Sequence, residues 1–371
     1  MSGSGDVYLV TGGCGFLGKV IIKLLIEKAC DVSEVRMFDK VIQDDYKERL
    51  QALVGSRIKL IVIKGDVRNK EDVQKACQGV THVIHTASLI DVWGHFSNEE
   101  IESVNIEGSR LLLETCIQHN VKYFIYTSSM EAMGPNSRGD PICNGDEDTI
   151  YTHKPIFLYS RSKLAAEQLI LRANGSPLPN GGQIVSSAMR PTYIYGENSV
   201  FLKEYLHDAI ANGNVLVRTS KKQAHVNPVY VENVAWGHIL LARAMKEGKG
   251  KIVGGKFYFM TDDTPHMSYS DFNEEIMSCL GITMSPNLSR PLMLMYFIAY
   301  LKELLQFLLR PFIKYTPKIN RGIITLNNTK FTLTSHKAQN DFDYIPLYSW
   351  EVAKGKTIAW LASLVQKPNS Q

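Results

Sequence analysis

The chain has 371 residues, enough for two domains or one large one, and its 44% apolar and 21% charged residues are an ordinary globular composition. A net charge of +4, from 41 basic and 37 acidic residues, is too small and too evenly spread to indicate a nucleic-acid-binding protein. The six cysteines form no Cys-x-x-Cys pair, so we expect neither a disulfide framework nor a metal site. The first residues lack the form of a signal peptide, and we expect an intracellular protein.

The first 195 residues alternate short β-branched, apolar runs with segments of helical period. Apolar runs that are continuous are typical of strands covered on both faces of a sheet. The predicted strands are Val7–Thr11, Glu34–Phe38, Lys59–Lys64, His82–His85, Tyr123–Thr127 and Gln183–Arg190. The predicted helices among them include Phe16–Lys28 and Ser103–His119. This alternation predicts an α/β fold, a doubly wound parallel sheet with helices on both faces.

A glycine-rich loop follows the first strand and opens the first helix. It comprises Gly12, Gly13, Cys14, Gly15, Phe16, Leu17 and Gly18. Glycine at positions 12 and 15 allows the backbone to turn tightly against a pyrophosphate, and Gly18 allows the helix to pack closely on the sheet. The helix N-terminus supplies N–H groups and a positive dipole. A glycine turn without a ligand is the alternative, because this motif alone is weak evidence.

Two acidic residues follow the next strands. Asp39 ends the second strand, where a carboxylate accepts hydrogen bonds from the adenosine ribose and repels a 2′-phosphate. NAD is therefore favoured over NADP, although Lys40 weakens that preference. Asp66, after the third strand, is expected either to bind the adenine amino group or to cap the following helix. With these residues in place, dinucleotide binding is favoured over a bare turn.

A second group of polar residues carries acid–base chemistry. Tyr159 and Lys163 are four residues apart at the start of a predicted helix, so their side chains share one face. A buried lysine cation is expected to favour the phenolate and lower the pKa of the tyrosine, as a general base requires. Ser129 ends the fifth strand, where a serine can hydrogen-bond a carbonyl or carbinol oxygen. The alternatives are a solvated helix face for the pair and an N-cap for the serine.

These motifs together resemble the extended short-chain dehydrogenase/reductases, and within them the 3β-hydroxysteroid dehydrogenase/Δ5→4-isomerases. The matching segments are Thr11–Gly18, Asp39, Gly65–Asp66, His85–Ala87, Ile90–Val92, Tyr126–Asn136, Tyr159–Lys163, Arg190–Gly196, Val226–Trp236, Phe257–His266 and Pro346–Glu351. The resemblance implies that Tyr159 and Lys163 are catalytic and that Ser129 assists. It also implies that the glycine loop binds NAD with Thr86 nearby, and that Tyr159 and Lys163 contact the cofactor as well, with Lys163 at the nicotinamide ribose. The segment after Ser129 is similar to the branch acting on 7α-hydroxylated C27 sterols, whereas Asp262–Asp263 is more similar to the steroid-hormone branch.

The resemblance implies NAD-dependent oxidation of a 3β-hydroxy-5-ene steroid, followed by migration of the double bond. That migration needs a second acid–base pair, for which Tyr258, Asp262 and Asp263 are the candidates. On an extended strand, positions 258, 260 and 262 would face one side and Asp263 the other. A simple turn is the alternative for the two aspartates.

A membrane-associating segment is predicted over about residues 287–313. The stretch between Pro291 and Pro311 is mostly apolar, but its polar positions 302, 303, 306 and 310 fall on one helix face. This pattern favours an amphipathic helix in the membrane plane over a membrane span, beside the mouth of a steroid site. The alternatives are a buried helix of the C-terminal lobe and a dimer interface. We expect the endoplasmic reticulum membrane, with a mitochondrial membrane as the second location.

The predicted organisation is an NAD-binding Rossmann domain over 1–195 and a mixed region over 196–371. The second region is expected to add a late sheet strand, the substrate lobe, the membrane-associating segment and a final helix over Ser349–Val365. Three alternative functions stay open: a nucleotide-sugar epimerase, a 4-carboxysterol decarboxylating 3-dehydrogenase, and a non-catalytic NAD-sensing scaffold. A homodimer is compatible with the sequence, and no nucleic-acid partner is expected.

Overall fold

The computed structural model describes residues 5–55, 57–151, 155–309 and 312–365. The strands are β1 (Asp6–Thr11), β2 (Val32–Asp39), β3 (Lys59–Lys64), β4 (His82–His85), β5 (Tyr123–Thr127), β6 (Ile142–Gly145), β7 (Val185–Pro191), β8 (Tyr193–Tyr195), β9 (Val215–Leu216), β10 (Pro228–Tyr230), β11 (Phe257–Met260), β12 (Thr283–Met284) and β13 (Phe331–Leu333). The helices are α1 (Phe16–Lys28), α2 (Asp44–Leu53), α3 (Lys70–Cys77), α4 (Asn98–Glu102), α5 (Ser109–Gln118), α6 (Leu158–Arg172), α7 (Val200–Ala211), α8 (Val231–Ala244), α9 (Gly250–Val253), α10 (Tyr269–Met277), α11 (Leu292–Leu309), α12 (Arg321–Asn328), α13 (His336–Phe342) and α14 (Trp350–Val365).

Seven strands form one parallel sheet in the order β11-β7-β5-β4-β1-β2-β3. The strand order reverses direction between β1 and β4, and the crevice outside the carboxyl ends of these strands is the usual ligand site of such sheets. The glycine loop follows β1, Thr86 follows β4, and Ser129 is the second residue after β5. The predicted doubly wound parallel sheet is confirmed, and its topology brings these three segments to one edge.

Helices cover both faces of the sheet. One core contains residues of α1 and α8, and the other contains residues of α3, α5 and α6. Successive residues of β1 point into opposite cores: Val10 packs in the first core and Leu9 in the second, and both are fully buried. This two-sided burial explains why the strand sequences are continuously apolar.

Several predicted elements agree with the structure residue for residue, including Phe16–Lys28 and Lys59–Lys64. The helix predicted over Ser103–His119 begins earlier, at Asn98, because Ser97 and Glu100 form a reciprocal capping box there. A π-helical turn over Ser103–Gly108 then joins α4 to α5. The periodicity of the apolar residues is disturbed by that turn, which explains the late predicted start.

The second half of the chain completes the sheet and adds a smaller lobe. β11 pairs with β7 at the edge of the sheet, and this late strand was expected. Two small sheets, β10-β8 and β13-β6, link the second region to the first, and a third, β12-β9, lies within the second region. α11 packs on α12 through Met295, Ala299 and Ile324. The boundary at residue 195 stays a prediction.

Candidate active site

The glycine loop has no space for side chains at two of its positions. A Cβ atom at Gly12 would lie 2.8 Å from the backbone nitrogen of Ala87, and one at Gly18 would lie 2.1 Å from the carbonyl oxygen of Gly12. Gly12 also has a φ of +68°, which favours glycine. Gly15 is the N-cap of α1 and has no side chain to cap the first turn. The loop and helix start therefore fit the pyrophosphate of a dinucleotide.

The remaining loop residues fix its shape. A Cβ atom at Gly13 would lie 2.5 Å from the Met37 side chain, and the buried Cys14 thiol contacts the same methionine. Burial raises the pKa of Cys14, so this thiol is not set up as a nucleophile. Leu17 is buried and Phe16 is half-buried. The residues other than glycine hold the loop against the sheet.

Asp39 faces the loop from the end of β2. Its carboxylate accepts hydrogen bonds from the backbone nitrogens of Cys14, at 2.9 Å, and Val41, at 3.1 Å. The acidic group therefore lies beside the loop that fits a pyrophosphate, where an adenosine ribose would follow. This placement agrees with the role expected from the sequence.

Asp66 and Thr86 are partly used by the protein itself. Arg68 contacts the Asp66 carboxylate at 2.6 Å and holds its pKa well below the usual range. The alternative that Asp66 caps the next helix is wrong, because Asn69 accepts the N–H groups at the start of α3. Thr86 donates to the carbonyl oxygen of Thr11 at 2.7 Å. Its side chain therefore supports the glycine loop.

Ser129, Tyr159 and Lys163 form a buried cluster between β5 and α6. Tyr159 is 6% and Lys163 is 2% exposed, on one face of α6. The Lys163 ammonium donates to the carbonyl oxygen of Thr127 at 2.6 Å and lies 4.7 Å from the centre of the Tyr126 ring. The Ser129 hydroxyl lies near enough to the Tyr159 phenol to lower its pKa, and it also caps a short 3₁₀-helix over Met130–Ala132. The N-cap reading of Ser129 and the functional one are thus compatible.

The ionisation of this cluster differs from the expected one. Burial raises the pKa of Tyr159, the Glu131 carboxylate raises it further, and the Ser129 hydroxyl lowers it. Burial lowers the pKa of Lys163 to about 7. The expected lowering of the tyrosine pKa by the lysine is therefore wrong for the protein without cofactor, because desolvation outweighs the attraction between the two groups. As the pH rises, the Tyr159–Lys163 pair therefore loses its first proton near neutral pH, and this proton comes from Lys163.

Glu131 is a site residue that the sequence analysis missed. Its side chain lies next to Tyr159 and accepts a hydrogen bond from the Ser160 hydroxyl at 2.8 Å. Burial raises its pKa to about 7. A carboxyl group that titrates near neutral pH can act as an acid or a base. The signal in the sequence was a glutamate two residues after Ser129, which alone does not indicate burial.

The structure does not bring Tyr258, Asp262 and Asp263 together with that cluster. Tyr258 packs in the core containing α1 and α8, on the face of the sheet opposite α6, and donates to Asp341 at 2.7 Å. Asp262 accepts from the backbone nitrogen of Tyr230 at 2.8 Å, and Asp263 accepts from that of Trp350 at 2.9 Å. Tyr258 and Met260 share one side of β11, as expected, but β11 ends at Met260, so the expectation that Asp262 continues this strand is wrong.

A cavity of about 700 Å³ opens beside the first turn of α6, within the size range of small-molecule sites. Its apolar wall includes Trp93, Phe96, Ile101, Ile156, Phe157 and Leu158. α11 and α12 close the other side with Glu303, Gln306 and Arg321. Since Leu158 immediately precedes Tyr159, the cavity reaches the segment that carries the catalytic candidates.

The sequence profile of the 3-beta hydroxysteroid dehydrogenase/isomerase family matches residues 9–292. The chain belongs to this family. The match runs from β1 to the first residue of α11, so it includes the glycine loop, the Ser129–Tyr159–Lys163 cluster and β11. The family membership predicted from the motifs is confirmed, while the rest of α11 and the C-terminal helices lie outside the matched region.

Solved structures share the fold of this 3-beta hydroxysteroid dehydrogenase/isomerase family member. The crystal structure of gox2253 is 24% identical, with a TM-score of 0.69 and coverage of 98% of this chain and 100% of that one. DesIV, the dTDP-glucose 4,6-dehydratase from Streptomyces venezuelae, solved with NAD and TYD, is 16% identical, with a TM-score of 0.69 and coverage of 96% and 97%. UDP-glucuronic acid 4-epimerase from Bacillus cereus, in complex with NAD, is 18% identical, with a TM-score of 0.67 and coverage of 96% and 99%.

Proposed function

We propose that the protein oxidises 3β-hydroxy-5-ene steroids to 3-oxo steroids with NAD and then moves the double bond from Δ5 to Δ4. The observation that carries the proposal is the grouping of Ser129, Tyr159 and Lys163 between β5 and α6, beside a helix turn that also lines a cavity with an apolar wall. The family membership supports a steroid as the substrate. Related structures solved with NAD, together with the fit of the glycine loop, support the cofactor.

The first step is removal of hydrogen from C3. NAD, when bound, accepts the hydride. Ser129 hydrogen-bonds the 3β-oxygen, and Tyr159 takes the hydroxyl proton while C3 loses the hydride. Lys163 stabilises the phenolate as that proton moves. The Tyr159–Lys163 pair can accept the substrate proton only after it has lost one of its own protons, which happens near pH 7.

The second step moves the double bond without net redox change. The 3-oxo-Δ5 product has a C4 proton activated by both the carbonyl group and the double bond. A base must remove this proton, and an acid must deliver a proton to C6. Glu131 is the side chain that the structure places beside Tyr159 with a pKa near neutral, and we propose that it serves this step.

The cavity favours a steroid over a nucleotide sugar. Nucleotide diphosphates require cationic groups, and Arg321 is the one basic side chain among the described residues that line the cavity. That guanidinium is already paired with Glu303 at 2.7 Å. Apolar and aromatic walls bury the fused rings of a steroid, which carries no charge.

Purified protein incubated with NAD and a panel of 3β-hydroxy-5-ene steroids, including 7α-hydroxylated C27 sterols, tests the proposal. Reduced nicotinamide reports oxidation, and absorbance of the conjugated enone reports isomerisation. Turnover of a UDP-sugar instead would identify an epimerase, and release of carbon dioxide from a 4-carboxysterol would identify the decarboxylating enzyme. NAD binding without turnover of any of these would identify a sensing protein.

Replacing Asp39 with alanine is expected to weaken the preference for NAD and to admit NADP. The carboxylate is lost from the position where it would accept the ribose hydroxyls and repel a 2′-phosphate. The ratio of kcat/KM for the two cofactors measures the effect, and Asp45→Ala, on the exposed surface of α2, is the control. An unchanged ratio would remove Asp39 from the ribose site.

We also propose that α11 lies in the plane of a membrane. By length and composition α11 could cross a bilayer, a property shared by core helices of soluble proteins. However, Glu303 and Gln306 face the cavity, whereas the side chains of Phe297, Phe307 and Leu308 are 57%, 71% and 58% exposed. Position 310 lies outside the described residues. The alternative of a buried helix is wrong, because within α11 only Met295 and Ala299 are buried.

Replacing Phe297, Phe307 and Leu308 with serine is expected to shift the protein from the membrane pellet to the supernatant. These side chains contribute apolar area to a membrane contact, whereas Met295 and Ala299, which pack on α12, stay intact. Flotation with phospholipid vesicles measures the change. Exposed Val200, Ile210 and Val217 replaced with serine are the matched control. Undiminished flotation of the α11 variant would place the membrane contact elsewhere.

A further inference from the structure

α6 carries a third ionisable side chain on its buried face. Glu167 follows Lys163 by one helical turn, and residues at this spacing lie side by side on a helix. The Glu167 carboxylate is buried, and its negative charge acts on Lys163. The face that holds Tyr159 and Lys163 thus continues into a carboxylate that the proposed reaction does not use.

Arg190, near the end of sheet strand β7, binds the Glu167 carboxylate. Its Nη2 donates to Oε1 of Glu167 at 2.6 Å, and its Nε donates to Oε2 at 2.8 Å. The guanidinium group lies 3.6 Å from the centre of the Phe257 ring, so its position is fixed by packing as well. A buried, bidentate ion pair keeps both carboxylate oxygens in place. Glu167 therefore cannot turn away from Lys163.

We propose that Glu167, clamped by Arg190, is a positioning residue that stabilises the ammonium form of Lys163 in the proposed reaction. This inference rests on the function proposed above. Lys163 needs such a partner because it is buried, and its own hydrogen bond is to the neutral carbonyl group of Thr127. Arg190 fixes the position of Glu167, and Glu167 in turn affects the ionisation of Lys163, one helical turn earlier on α6.

The other ionisable groups around Lys163 in the described part of the chain carry no negative charge that could stabilise its ammonium form. His85, on β4, has a pKa lowered to about 3 by burial and is neutral at physiological pH. The phenol of Tyr126, on β5, has a pKa raised far above its usual value by burial. On α6 itself, Tyr159 is also protonated in the protein without cofactor, and the Glu131 carboxylate acts on Tyr159.

Loss of the Glu167 charge has a defined effect on the Tyr159–Lys163 pair. Burial lowers the pKa of Lys163, and the carboxylate opposes that shift. Without the carboxylate the pair loses its first proton at lower pH, so the form that accepts the substrate proton appears at lower pH. The maximal rate falls as well, because the ammonium that stabilises the phenolate is populated less. A purely structural ion pair would change the rate at every pH by the same factor.

The test compares Glu167→Gln with Glu167→Asp, which keeps the charge. The acidic limb of kcat/KM for reduced-nicotinamide formation should move toward acid in E167Q and stay in place in E167D. The pH dependence of NAD affinity, followed by protein fluorescence without steroid, should shift in the same direction. This second readout needs no steroid turnover, so it separates failure of this inference from failure of the proposed function.

The double variant E167Q/R190Q does not leave Arg190 without its partner and replaces E167Q if that variant does not fold. Its acidic limb and its NAD-binding profile should also move toward acid, because the carboxylate is absent. The inference would be overturned if E167Q and E167Q/R190Q lost rate by the same factor at every pH, with no shift in the pH profiles of kcat/KM and NAD affinity. The Arg190–Glu167 pair would then be structural only.

Discussion

Replacing Tyr159 with phenylalanine is expected to lower the rate of 3β-hydroxysteroid oxidation by about two to four powers of ten, the usual contribution of a positioned base. Lys163→Met should have an effect of similar size, because the phenolate loses its cation. Both side chains lie in a preformed buried cluster, so the change in the fold should be small. Reduced-nicotinamide formation under single-turnover conditions measures the chemical step directly.

A matched control is Tyr8→Phe, which removes a phenol at the opposite end of the sheet. Tyr8 is buried and its ring stacks on His82 at 4.4 Å, far along β1 from the glycine loop. This variant should keep normal turnover and normal NAD binding, and circular dichroism should be unchanged in all three proteins. If Tyr159→Phe turned over at a rate near that of Tyr8→Phe, Tyr159 would not be the base.

Replacing Glu131 with glutamine should separate the two activities. Conversion of isolated 3-oxo-Δ5 steroid to the conjugated enone is expected to fall by about two to four powers of ten, because the amide cannot exchange a proton with carbon. Reduced-nicotinamide formation should persist and extend to lower pH, since the carboxylate that raises the pKa of Tyr159 is gone. In the unmodified protein, isomerisation should rise with pH through about 7, as Glu131 ionises.

The controls for this experiment are Tyr258→Phe and the double variant Asp262→Asn/Asp263→Asn. Their polar atoms are engaged with Asp341, Tyr230 and Trp350, so we expect lower stability with little specific loss of isomerisation. A selective loss of isomerisation in these variants, with Glu131→Gln unaffected, would instead support the assignment made from the sequence.

Local sequence signals predicted the parts of the site that depend on local geometry. The glycine loop, Asp39 and the Tyr159–Lys163 spacing each follow from one strand end or one helical turn, and the structure places them at one edge of the sheet. The role of Asp66 was harder to predict, because Arg68 two residues later engages its carboxylate. A charged neighbour in the same loop can engage a carboxylate without changing the strand that precedes it.

The isomerisation site depends on which face of the sheet a residue occupies, and sequence spacing does not report this. Extending β11 by two residues would have placed position 262 in line with Tyr258, but Asp262 leaves the strand to accept hydrogen bonds from Tyr230 and Asn233. Likewise, the Glu131 side chain is half-buried and accepts a hydrogen bond from Ser160, which is on α6 and remote in sequence. Such contacts arise from tertiary packing between segments remote in sequence.

The late strand β11 has a consequence for how the protein is made. While the chain is being synthesised, the first 195 residues contain β7 but not the strand that pairs with its outer edge. Until Phe257–Met260 leaves the ribosome, β7 offers unpaired backbone groups, a state prone to wrong pairing with other chains. Since β11 precedes the apolar α11 in the sequence, the nascent protein can close its sheet before α11 leaves the ribosome.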